Sequence, residues 1–520
     1  MSEKVDMSDY GLSIYSRTVQ TVNGPVEVRW DQGSPATPMG QLLYFIEFIN
    51  LTGLWDRWLT GCPLNYTSPN ASTKEEVLGT WMLSVLAGHR RYSHVTAMRC
   101  DGVNPGLLGM RKVISEDALR NALKSIEEEA GTTWLSEHLN DSTIWLLDVP
   151  WILDTDTTIK PLYGKQEGAE VSYNPKKPGR PSHAYHTYLM AGLRLVLGVD
   201  VCAGKQHTAY HAQPGLLSIL DALPPENKPA LVRGDCAFGN DSLMNELETR
   251  EQEYLFKLKL TKNVKRLIAR VVDKPGWEDA GQGWEGQDGE LRLQGWKDKR
   301  RVIVLRRAVA YKDVAECQCE GGQMVLQFPK SKGKNTDNYG YEYAVLVTNT
   351  DYAICSIGQL YRDRADAENA FDELKNQWGW GGFTTKDIHR CRLSACVVAL
   401  IYNWWSLFVR LANPEARCEA ITSRPWLMAS IGCKTQNDGQ TIITLTGMHA
   451  RSDDARARLT RVSTMIQGWF SKISEQLDKS KILWQLVCDY LKLLLTGGKN
   501  KKQRRLDKNP PKLAPANCGF

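Results

Sequence analysis

The sequence predicts an α/β core interrupted by a β-rich insertion, with helical units before and after it. Three observations predict this. Apolar, β-branched runs alternate with helical patterns between about residues 144 and 260. Residues 262–349 are rich in glycine, tryptophan and charge and carry strand-like runs. The flanking segments space their apolar residues with the period of a helix.

Taken in chain order, residues 18–30 alternate around Asn23-Gly24-Pro25, the pattern of a short hairpin. Helical periods cover 40–59, 74–87 and 115–129, so residues 1–140 read as a mostly helical unit. It carries basic clusters at His89-Arg90-Arg91-Tyr92 and Arg111-Lys112, which as a rule are solvated faces. Strand character follows at 143–159, broken by Pro150, and at 188–198 and 199–201. The run from Pro229 to Val232 ends on Arg233-Gly234-Asp235; a helix is expected over 241–250 and a strand over 254–260. These elements make 141–261 the first part of the core. Within the insertion, 262–349, strands are expected at 290–293, 301–309, 324–328 and 341–347. Helix returns over 356–377 and 393–412, completing the core in residues 350–412. Helices over 454–471 and 473–495 make 413–497 a C-terminal helical unit, and 498–520 reads as a basic disordered tail.

A chain of 520 residues calls for two to four structural units. At 42% hydrophobic and 24% charged residues it can bury a sizeable core. The net charge of +6 suits an anionic partner without demanding one. In the tail, Lys501, Lys502, Arg504, Arg505 and Lys508 face the single acid Asp507, which favours non-specific contact with nucleic acid. The 13 cysteines have no repeated spacing, and Cys317-Gln318-Cys319 lacks a second pair to complete a zinc site. Reduced thiols in a cytoplasm are expected, and MSEKVDMSDYGL holds no apolar signal region. Residues 393–409 approach membrane-spanning length, but Asn403 and the following Arg410 favour a buried core helix and no membrane.

The candidate chemistry lies in LYRDRADAENAFDELKNQWGW. Tyr361, Arg364, Glu368 and Lys375 are offset by three, seven and fourteen residues, which on a regular helix places them within an arc of about 60°. Leu360, Ala367, Phe371 and Leu374 form an apolar stripe beside them. Arg364 and Glu368 alone would also suit a salt-bridged amphipathic helix, and Asp372 lies near the same face. Two aspartates end apolar strands upstream. Asp156 stands in ILDTDTT, with Asp154 on the same strand face as its alternative and Asp148 as a structural residue. Asp235 ends ALVRGD; taken singly, such a residue is usually a turn or cap.

The four-residue spacing resembles the Tyr-x2-Arg-x3-Glu-x6-Lys signature of bacterial insertion-sequence transposases of the DDE class. The segment from Thr155 to His186 is also similar to that family after its first aspartate, so the resemblance covers roughly residues 144–412. It implies a ribonuclease-H-like core and cut-and-paste movement of an insertion sequence. Asp156, Asp235 and Glu368 would be catalytic and hold two divalent ions, Mg2+ or Mn2+, because hard cations take carboxylate oxygens. Tyr361, Arg364 and Lys375 would hold double-stranded DNA, both terminal inverted repeats and target. The N-terminal unit would recognise the repeats, and a homodimer would pair two ends in a bacterial cytoplasm, associated with the nucleoid. Excision through a DNA hairpin would need an aromatic residue to receive an unstacked base. Trp277, Trp284 and Trp296 stand in the insertion, where strand packing is the other reading. The basic loop 173–181 suits either solvent or phosphate. Two rivals remain: a metal-dependent endonuclease without strand transfer, and a DNA-binding protein on the same scaffold that has lost catalysis.

Overall fold

The computed structural model describes residues 16–30, 33–65, 68, 70–174, 177–310, 325–326 and 339–496. The basic tail, Cys317 and Cys319 lie outside the described residues. The architecture is mixed α/β: a two-stranded hairpin, a large mixed sheet and a three-stranded sheet, packed among helices.

Strands β1 (Ser16–Thr21) and β2 (Gly24–Arg29) pair antiparallel, with Thr21 opposite Gly24. The turn is therefore Val22-Asn23, one residue earlier than the sequence suggests. After β3 (Ala36–Thr37) come α1 (Leu43–Leu51) and α2 (Leu54–Gly61). The single helix expected over 40–59 breaks at Gly53, whose φ of +68° lies in the left-handed region that glycine adopts at little cost. Helix α3 (Lys74–Leu86) starts on a capping box, with Glu76 N donating to Thr73 Oγ1 at 3.2 Å and Thr73 N to Glu76 Oε2 at 3.1 Å. Helices α4 (Asn104–Leu107), α5 (Glu116–Lys124) and α6 (Glu128–Asp141) follow. The Glu127 carboxylate accepts from Ala130 N at 3.0 Å, starting a new helix where one continuous helix was expected.

The large sheet begins with β4 (Ile152–Pro161), β5 (Glu170–Val171), β6 (Pro181–Met190) and β7 (Leu195–Ala203). The strand boundaries expected at 188–198 and 199–201 are wrong: the chain reverses between Met190 and Leu195, where Gly192 and Arg194 take positive φ. Helix α7 (Ala209–Ala222) leads to β8 (Leu231–Gly234), then α8 (Asp241–Thr249) and β9 (Tyr254–Lys257). Strands β4, β8 and β9 are parallel neighbours; β6 and β7 continue antiparallel on the β4 side.

The stretch 262–349 opens with a helix, α9 (Lys262–Val271), that the sequence reading did not foresee. Strands β10 (Glu278–Gly281), β11 (Trp284–Leu291), β12 (Arg300–Ala310), β13 (Val325–Leu326) and β14 (Tyr339–Thr348) follow. They do not form a sheet of their own. Strand β14 pairs antiparallel with β9, so the order runs β10-β11-β12-β14-β9-β8-β4-β6-β5. The insertion is thus an extension of the core sheet past β9.

Helices α10 (Ile354–Arg362) and α11 (Ala365–Gln377) precede α12 (Ile388–Ala412). Helix α12 is apolar enough to cross a membrane by length and composition, with mean hydropathy 1.5, but 89% of that window is buried in protein. Its Asn403 explains the polar interruption: Oδ1 accepts from Val196 N at 2.8 Å and Nδ2 donates to Val196 O at 2.7 Å, satisfying the free edge of β7. Helix α13 (Ala420–Leu427) is followed by a hairpin, β15 (Gly432–Asn437) and β16 (Gln440–Leu445), which pairs with β3. The segment 413–497 is therefore not purely helical. Its two-residue turn, Asp438-Gly439, takes positive φ at both positions, as an Asp-Gly hairpin turn requires. Helices α14 (Ser452–Lys472) and α15 (Lys479–Thr496) close the described chain.

Candidate active site

The three parallel strands end together. In the ladder Thr155 is opposite Gly234, and Gly234 is opposite Phe256. The next residues, Asp156, Asp235 and Lys257, therefore stand side by side at the C-terminal strand ends, where α/β sheets place their ligand crevice. Strand β4 runs on past this point, keeping Asp156 in register with Thr187 of β6. Strand β8 stops, and Asp235 closes a turn: Ala237 N donates to its Oδ1 at 2.9 Å. A Cβ at Gly234 would lie 2.9 Å from the Phe238 ring, so glycine lets the chain fold under that ring just before the acid.

Asp154 is already engaged. Arg233 Nε and Nη2 donate to its two oxygens, each at 2.7 Å, and both side chains are essentially inaccessible (0% and 1% exposed). Arg233 Nη1 also donates to Leu360 O. One guanidinium thus ties β8, β4 and the C-terminal turn of α10 together. Asp148 forms an ion pair with Lys492 at 2.9 Å, away from the strand ends.

Helices α10 and α11 bring the remaining candidates, but not as one even face. The chain tightens between them: Arg364 N donates to Tyr361 O at 3.1 Å and Ala367 N to Arg364 O at 2.9 Å, a three-residue spacing. A 3₁₀ turn advances about 120° per residue, so the arc expected for a regular helix does not hold through Arg364. Arg364 turns inward and is buried; Glu368 and Lys375 are exposed, and Tyr361 is half-buried. The apolar stripe of Leu360, Ala367, Phe371 and Leu374 is buried throughout.

Arg364 bridges the acids. Its Nη2 lies 3.3 Å from Asp156 Oδ1, and its Nη1 donates to Glu368 Oε1 at 2.8 Å. Burial pushes the Asp156 carboxyl above its ordinary range, with the charge of Asp235 adding to it and Arg364 and Lys375 opposing. Burial works against the Arg364 charge, yet Asp156, Tyr361, Asp154 and Asp235 hold it firmly protonated. The Tyr361 hydroxyl is pushed up by burial, with Asp235, Cys236 and Glu368 contributing. Asp156, Asp235, Glu368, Tyr361, Arg364 and Lys375 thus share one electrostatic environment.

Among the described residues, no group of three His, Cys, Asp or Glu side chains closes on a common point. The oxygen donors nearest one another are two aspartates on adjacent strand ends, and a solvent-facing glutamate is linked to Asp156 through Arg364. Lys257 was not foreseen. Burial lowers its pKa, and Asp235 and Arg364 both act on it. Its signal was available, since it ends the next apolar strand after the one carrying Asp235.

The other sequence candidates are placed as follows. Arg306 packs over Trp277 at 3.8 Å and Tyr341 at 4.9 Å, Arg307 over Trp284 at 4.9 Å, and Arg300 over Trp296 at 5.3 Å. Each of the three tryptophans thus lies under an arginine of β12. In the basic loop, Tyr173 stacks on His207 with ring centroids 6.1 Å apart, and Lys177 and Arg180 lie over Tyr163 at 5.0 and 4.7 Å. Pro175 and Lys176 lie outside the described residues.

Residues 148–404 match the family described as Transposase DDE domain. The matched span holds Asp156, Asp235, Tyr361, Arg364, Glu368 and Lys375, and the match supports a transposase function. Among solved structures, one titled "Cryo-EM structure of piggyBac transposase synaptic complex with hairpin DNA (SNHP)" aligns at 9% identity, covering 90% of this chain and 88% of that chain, with a TM-score of 0.35. No curated protein matches the chain.

Proposed function

We propose that this chain is a DNA transposase that moves an insertion sequence by cut-and-paste, on a ribonuclease-H-like core, in a bacterial cytoplasm. The observation that carries the reading is the equal height of Asp156 and Asp235 on adjacent parallel strands, with Arg364 joining Asp156 to Glu368, inside a DDE-domain match. The parallel strands β4, β8 and β9, with β6 and β7 antiparallel beside them, support the core assignment.

Asp156, Asp235 and Glu368 would hold two divalent cations, Mg2+ or Mn2+. Such cations, when bound, supply Lewis-acid stabilisation of charge on the reacting phosphate. The carboxylates would orient that charge, with Asp156 half-buried at the strand end. Arg364 supplies planar, paired donors suited to phosphate oxygens, which it would take in place of Asp156 and Glu368. Tyr361 offers a hydroxyl that stays protonated, and Lys375 an exposed charge on the same helix pair. Both element ends must be held at once, which favours a homodimer on DNA. A hairpin intermediate belongs to the same reading.

A supercoiled plasmid carrying the inverted repeats that flank this coding sequence, incubated with Mg2+, tests it. Excised linear DNA is expected. Nicks without joining would instead make the chain an endonuclease, and binding without cleavage a non-catalytic DNA-binding protein. Lys375→Ala is expected to weaken binding of the repeat ends and lower the salt slope of binding by about one. The Mg2+ concentration for half-maximal cleavage should stay as in wild type; unchanged end binding and excision would remove Lys375 from the DNA contact.

A further inference from the structure

Three cations from three separate elements converge at the turn after α11. Lys160 stands on β4, an even number of residues beyond Asp156 and hence on the same strand face. Lys375 lies in the last turn of α11. Arg90, from the loop after α3, donates from Nη2 to Asn376 O, the carbonyl next to Lys375. The turn itself is glycine-rich and tight. A Cβ at Gly379 would sit 2.5 Å from His89 O and 3.0 Å from Arg90 Cα; one at Gly381 would sit 3.1 Å from Lys160 Cδ. Gly379 and Gly381 take φ of +66° and +68°. Glycine is required here on both counts, and the result is close approach of the Arg90 backbone and the Lys160 stem.

Lys160 sits among cations, while Lys375 also acts on the Asp156 carboxylate. Lys160 is half-buried; burial lowers its pKa, and Arg90 and Lys375 lower it further, with only the Tyr163 hydroxyl opposing. No carboxylate is among the groups acting on it. Arg90 and Lys375 are exposed, so the cost of bringing the three charges together falls on the half-buried Lys160, and a bound anion would offset it.

We propose that Arg90, Lys160 and Lys375 form a phosphodiester-binding subsite, which takes backbone phosphates of the DNA strand entering beside Asp156. This deepens the transposase reading and rests on it for the identity of the strand. Arg90 and Lys160 lie outside the four-residue signature, and Arg90 lies outside the matched domain, so the subsite couples the N-terminal unit to the core.

The test is fluorescence anisotropy with a fluorescein-labelled duplex of arbitrary sequence, over a series of salt concentrations, for wild type, Arg90→Gln and Lys160→Met. The methionine keeps the stem over Gly381 and removes only the charge. Each variant is expected to bind more weakly and to lower the slope of log K against log salt by about one, while Lys160→Arg keeps the slope. Wild-type affinity and slope in both Arg90→Gln and Lys160→Met would overturn the subsite. Calorimetry with inorganic phosphate distinguishes the two sources of the anion. Phosphate binding lost in Lys160→Met, with duplex affinity unchanged, would assign a free-phosphate site and overturn the strand assignment. The plasmid assay on wild type keeps the two readings separate. Wild type that cuts while slopes stay unchanged removes the subsite alone. Wild type that never cuts while slopes fall removes the transposase reading and leaves a nucleic-acid subsite.

Discussion

Asp156→Asn is expected to lower plasmid cleavage by about 10³-fold or more, the scale of losing one member of a catalytic unit, while its melting temperature at neutral pH matches or exceeds wild type. The two effects have one cause. Burial and Asp235 raise the Asp156 pKa more than Arg364 and Lys375 lower it, so ionising this carboxyl is a net cost to the fold. The sign follows. A carboxyl whose folded pKa is raised contributes stability below its unfolded pKa, and that contribution is lost as pH rises through the raised value. Wild type should therefore lose stability as pH rises from the ordinary aspartate range through the raised value, and Asp156→Asn should lack that slope. Cleavage should rise through the same window, because only the carboxylate can serve a cation. Melting curves and plasmid cleavage against pH measure both; an Asp156→Asn chain that still cuts at wild-type rate would remove Asp156 from the site.

Arg233→Met should act in the opposite way, on the fold first. Its removal leaves Asp154 buried without a counter-charge and Leu360 O without its donor. Breaking one side of such a pair costs about 3–5 kcal/mol. Urea denaturation should show that loss as a lower midpoint. Replacing both partners, Arg233→Met with Asp154→Leu, should recover most of it, since the desolvated charge disappears with its partner. A single variant that loses less than about 1 kcal/mol would mean the pair does not hold the site together. The contrast also separates the two neighbouring aspartates: Asp154→Asn should behave as a stability variant and Asp156→Asn as a cleavage variant.

Local pattern made part of this site legible. The stripe of Leu360, Ala367, Phe371 and Leu374 is buried as its spacing predicts, and the Arg364–Glu368 pair forms at 2.8 Å. Apolar runs ending in acids sit at strand ends because a buried strand must emerge somewhere, and Asp156 and Asp235 mark where. What escaped the sequence depends on distant contacts. The break at Arg364 has neither proline nor glycine to announce it; Arg233, far away in the chain, engages Leu360 O just before it. The fusion of the insertion with the core sheet rests on three ladder pairs between β9 and β14, which no local period encodes. The hairpin at β15 and β16 is a different case. Asp438-Gly439 between alternating residues announced it, and the helical pattern on either side hid it.

The small sheet has a consequence for the order of synthesis. Strand β3 lies near the start of the described chain, yet its partner is β15, and Gly40 N donates to Ser430 O at 2.7 Å. A chain emerging from the ribosome exposes Asp156, Asp235 and Glu368 before residue 430 is made. The N-terminal helices must wait for that late strand before their edge is paired. Pairing of β3 with β15 therefore closes a long loop, and helix α14, made later still, must also find α1 before the N-terminal helices are fully packed.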